Sequence, residues 1–107
     1  MSQFDDRKKA AENKFSHDKE LEFKATARRN KLLGQWAAKL MGMEGEAIDA
    51  YAIQVIESDF EEAGDEDVYR KIAGDLETAD VEQSEHQIRK QMEELLVTAL
   101  DQVRSEA

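Results

Sequence analysis

The sequence contains no cysteine and no proline. The first absence removes disulfides, thiolate metal sites and cysteine nucleophiles together, and it suits a reducing compartment. The second removes the residue that most firmly breaks a helix and leaves every backbone N–H free to join one. Glycine is sparse as well, with only five, at positions 34, 42, 45, 64 and 74. No apolar run approaches the roughly 20 residues that cross a bilayer, and the N-terminus lacks the apolar core of a signal peptide, so a soluble, internal protein without membrane insertion is expected. Neither a GxxxxGK[ST] loop nor a GxGxxG fingerprint is present, which removes the usual sequence marks of a phosphate-cradling turn.

What remains is 107 residues rich in Ala, Glu, Lys, Leu and Gln, the residue types that lose least on entering a helix. A chain of this length supports one core and hides roughly two thirds of the surface it exposes when unfolded. The expected class is all-α. Charge is unevenly spread: residues 1–40 carry ten Lys or Arg against six Asp or Glu, net +4, and the rest carry five against nineteen, net -14, which sum to the chain's -10. Such a chain can close on itself electrostatically. Nucleic acid is excluded as a partner, because the overall field repels phosphates and no basic stripe interleaved with aromatics occurs.

From the C-terminus backwards, Ser84 with Gln87 three residues on has the capping-box pattern, and Ile88, Met92, Leu95, Leu96, Ala99 and Val103 follow at helical spacing. Leu95 and Leu96 are expected in the core. Upstream, Ile48, Ala52, Val55, Ile56 and Phe60 mark a helix that should end near Gly64 in a left-handed cap. Asp65 can cap a short helix bearing Val68, Ile72 and Leu76, and 74–83 is expected to be a connector.

Residues 20–41 are apolar on two faces. Leu21, Ala25, Leu32 and Trp36 share one stripe, whereas Phe23, Ala27, Gly34, Ala38 and Met41 lie opposite. In one reading both faces meet helices of the same chain; in the other the small residues Ala27, Gly34 and Ala38 form a docking face. Residues 4–15, FDDRKKAAENKF, carry only a thin stripe in which Ala11 and Phe15 return to within about 20° of Phe4. A single helix over 4–41 would be about 57 Å long, against about 30 Å for the C-terminal helix, so its first turns must overhang the bundle. Helix nucleation is costly, and a segment of this kind is expected to be frayed when free and ordered by laying its anchors in a partner's groove; a merely solvated tail is the alternative.

Three strings, "FDDR" (4–7), "RRNKLLGQWAA" (28–38) and "DFEEAGDEDVYRK" (59–71), resemble the ζ subunit, the small inhibitor protein of the F-type ATP synthase of α-proteobacteria, over the chain to about Asp75. The resemblance implies a four-helix bundle over 20–107 and an inhibitory segment over 1–19, flexible and partly helical. In that family the segment inserts at a catalytic α/β interface of the F1 head against the central rotor shaft and blocks rotation in the hydrolysis direction. By position, Phe4, Asp5, Asp6 and Arg7 match the family's opening motif, while Ala11 and Phe15 are added from periodicity. A cytoplasmic protein, peripheral on F1 and monomeric when free, is expected. The resemblance also implies adenine nucleotide binding, with no cofactor required; a small-molecule sensor bundle with an incidental N-terminus is the alternative function.

The residues themselves assign no nucleotide site. Arg28, Arg29 and Lys31 could meet phosphates, but Arg28 and Arg29 flank the bulky stripe and are better used in pairing with the acidic half. DFEEAG begins like a calcium loop, yet Ala63 and Arg70 stand where ligands are needed. His17 and His86 match no metal-ligand spacing, and Trp36 reads as core. No carboxylate pair sits in an apolar setting and no nucleophile motif occurs, so no catalytic residue and no enzyme are expected.

Overall fold

Helix α1 spans Ser2–Leu40, α2 Glu46–Ser58, α3 Glu66–Thr78 and α4 Glu85–Glu106. This computed structural model describes the backbone at residues 2–60 and 64–106, and the side chains at 19–60 and 64–106. Among the described residues there is no strand, as composition predicts.

Local chemistry sets the helix ends. The Gln87 N–H donates to Ser84 Oγ at 3.1 Å while the Ser84 N–H donates to Gln87 Oε1 at 2.9 Å, so the reciprocal cap that opens α4 is formed. Gly42, at φ +84°, closes α1: the Met43 N–H reaches the Ala38 carbonyl at 2.9 Å and the Gly42 N–H the Lys39 carbonyl at 3.1 Å. The same pattern closes α3, but its left-handed residue is Asp80, φ +59°, with the Val81 N–H on the Leu76 carbonyl at 2.9 Å.

That closure corrects the expected connector over 74–83. Helix α3 runs through Gly74 to Thr78. A glycine in mid-helix costs about 0.5–1 kcal/mol, less than the roughly 1.5–3 kcal/mol from burying Leu76 one turn later. Helix α2 departs the other way, ending at Ser58 instead of near Gly64, which leaves Phe60 exposed. Gly64 does adopt a left-handed φ of +87°, in the turn that enters α3.

The core joins Leu33, Ala37 and Ala38 of α1, Tyr51 and Val55 of α2, Val68, Ile72 and Leu76 of α3, and Ile88 and Met92 of α4. On α1 the buried face is centred on Leu33 and Ala37, between the two expected stripes, which form its flanks. Trp36 packs against the cluster while staying partly open. Leu95 and Leu96 are only half-buried; the fully covered positions of α4 are Ile88, Met92, Ala99 and Val103. Helices α1 and α3 each pack against all three others, whereas the backbones of α2 and α4 stay apart among the described residues.

Candidate functional site

The expected inhibitory residues Phe4, Asp5, Asp6, Arg7, Ala11 and Phe15 lie outside the residues whose side chains are described. What the structure shows is how the helix that carries them is held. On one side Arg28 reaches across to the end of α4, donating to Gln102 Oε1 at 2.9 Å and to Glu106 Oε2 at 2.8 Å. The hydrogen bond from Arg28 holds the Glu106 carboxyl below the usual carboxylate range, and the same bond raises Arg28.

One residue further on, Arg29 points into the bundle and is only 2% exposed. It donates to Asp65 Oδ1 at 2.8 Å and to Asn30 Oδ1 at 2.8 Å, while the Asn30 amide donates to Asp59 Oδ2 at 3.0 Å. Two neighbouring residues of α1 thereby grip both ends of the turn between α2 and α3. Burial pushes the Asp59 carboxyl above its ordinary value, with the Asp67 and Asp65 charges adding to the rise; the Asn30 hydrogen bond and the Arg29 charge oppose it. Asp65 occupies the N-cap position of α3 without a side-chain cap bond, because its carboxylate serves Arg29. Asp59, which opens the calcium-loop-like DFEEAG string, is engaged by Asn30 in the same way. Pairing of Arg28 and Arg29 with the acidic half is found.

The expected docking face meets a different fate. A Cβ on Gly34 would stand 2.7 Å from the Ala52 Cα of α2, so glycine is required for this helix crossing. Ala38 is fully buried and Ala27 half-buried. Gly34 is therefore covered within the chain by α2 and Ala38 lies in the core, so neither offers a free surface to a partner.

Between α2 and α3, the buried Tyr51 donates its hydroxyl to Asp75 Oδ2 at 2.8 Å, and Lys71 Nζ donates to the same oxygen at 2.9 Å. Burial, then the Asp75 hydrogen bond, raises the Tyr51 hydroxyl far above its ordinary value. Periodicity passed over this tyrosine because it flanks the Ile48–Ala52–Val55 series. His86 is exposed and His17 lies outside the described side chains. Among the described residues, no group of three His, Cys, Asp or Glu is placed to hold a metal, and no helix is long and apolar enough to cross a membrane.

Comparison with known proteins bears on the whole chain. The family model for ATPase inhibitor subunit zeta matches residues 1–102, a longer span than the quoted strings alone reach. A protein solved in solution by NMR is similar at 45% identity and TM-score 0.73, over 81% of this chain and 99% of that one. No curated protein matches.

Proposed function

This chain belongs to the ATPase inhibitor subunit zeta family, and from that premise we propose that it stops ATP hydrolysis by lodging residues 1–19 at an α/β catalytic interface of the F1 head, against the rotor. Membership makes it a regulatory protein of the ATP synthase, not an enzyme. The observation that carries the finer proposal is the extent of the family match, which begins at residue 1 and so includes the sparse stripe of Phe4, Ala11 and Phe15.

The physical task is a wedge. A helix lodged between subunits that must move stabilises one rotary state over the others, and it can shift that equilibrium only by the difference between its affinities for those states. The thin stripe suits a groove better than it suits a core. Behind it, the Arg28, Arg29 and Asn30 bonds fix the carrier helix to the bundle, so that the bundle remains outside as a stop. The ordering cost of the segment is offset when its two aromatic anchors are buried in the partner.

The test is a chain lacking residues 1–19, assayed for inhibition of ATP hydrolysis by purified F1. Loss of inhibition is expected. Inhibition equal to that of the full chain would overturn the proposal.

A further inference from the structure

Further along α1 the fold leaves a large apolar side chain, Phe23, uncovered. Helices α2 and α4 flank α1 without close backbone approach to each other, and a groove between them over the outer side of α1 is lined by the apolar Phe23, Ala27, Ile56 and Val103. Phe23 is 66% exposed, an unusual state for a phenylalanine on a well-formed helix, since its ring gains nothing from water.

The edges of the groove are cationic. Lys24, Arg28 and Lys31 line it against a single carboxylate, Glu106, in a molecule whose net charge is -10. Glu106 is committed to Arg28 at 2.8 Å. Lys24 pairs with Glu20 at 3.2 Å, but both side chains are about 60% exposed, and such a pair contributes little and exchanges readily. Two lysines beside an open aromatic ring therefore fit an acidic, partly apolar surface, with the charges setting approach and register and the ring supplying affinity.

Position on the helix selects the occupant. Phe23 stands four residues beyond Lys19, about 6 Å along the axis, so any surface that receives residues 1–19 passes within about one turn of it. We propose that the Phe23 groove is a second docking surface, which takes an acidic, partly apolar patch on the exterior of the same ATPase head that receives the leading segment. This inference rests on the proposed function above. It divides the contact in two: the segment selects the rotary state, and the groove adds affinity without distinguishing states.

The experiment titrates ATP hydrolysis by purified F1 with the full chain, with Phe23→Ser and with the double variant Lys24→Glu/Lys31→Glu, and records onset rates over a salt series. Phe23→Ser should raise the half-inhibitory concentration by about tenfold, as expected for loss of a central aromatic contact, with an unchanged melting temperature because the ring is exposed. The double variant should slow the onset at low salt and remove its salt dependence. Wild-type potency in both variants would overturn the docking surface while leaving the proposed function standing; failure of the unaltered chain to inhibit would overturn both. Should the free protein prove to be a dimer by sedimentation that Phe23→Ser dissociates, the groove belongs to a second copy and the proposal falls.

Discussion

Two positions on this small bundle carry more than their size suggests: Gly34 on α1 and Asp59 at the end of α2. Gly34 exists because a Cβ there would strike backbone at 2.7 Å, which side-chain motion cannot relieve. Gly34→Ala should therefore cost about 1–3 kcal/mol despite the better helix propensity of alanine; urea unfolding measures it, and a stabilised variant would show that α2 yields without cost. Asp59 makes the opposite kind of case. Its carboxyl is raised above an ordinary 3.8, mainly by burial, so the native state holds that proton more tightly than the unfolded chain does. Its contribution to stability is complete below the unfolded value and is lost as pH rises through the native one. Asp59→Asn keeps an acceptor for Asn30 and removes the titration, so the variant should gain on the parent from about pH 4 upward. Urea titrations of both proteins across that range would refute this if their difference stayed flat.

At the level of the helices, what the sequence discloses depends on whether a signal is local. The Ser84–Gln87 cap lies within four residues and is present as the pattern foretells. Val68, Ile72 and Leu76 need only a period to place them on one face, and all are buried. The end of α3 was concealed because its left-handed closing residue is an aspartate, whereas Gly74, which looks like punctuation, lies inside the helix. Asp80→Gly should therefore stabilise the protein by up to about 1 kcal/mol, since a side chain in the left-handed region costs roughly that much; a lowered urea midpoint would show that the Asp80 side chain has a compensating bond. Arg29 was harder to place. Periodicity puts it at the edge of a stripe, and only the convergence of its neighbour Asn30 with the distant Asp59 and Asp65 shows that it is buried and satisfied.

For the molecule as a whole, the charge imbalance between residues 1–40 and the remainder foretold that the chain would close on itself, and Arg28 to Glu106 and Arg29 to Asp65 are that closure at 2.8 Å each. Periodicity marks four helical segments and the family resemblance implies their bundle, but the reading of 74–83 as a connector cut α3 short of Thr78. The candidate site was legible in a different sense: its motif and stripe are properties of the sequence, and the family match takes in both. Every core position described lies from Ala25 onward, so the chain lacking residues 1–19 should melt within a few degrees of the full chain while losing its inhibition. A large drop in melting temperature, followed by circular dichroism, would show that the segment is part of the bundle's own core.

Because α2 and α4 have no close backbone approach, the bundle is held through α1 and α3, the two helices that each pack against all three others. Helix α3 joins α2 to α4, but the core that Leu33 and Ala37 complete would lie open without α1. Cleavage in the short Gly42–Gly45 link would yield two halves that remain incomplete apart and can regain the fold only by recombining.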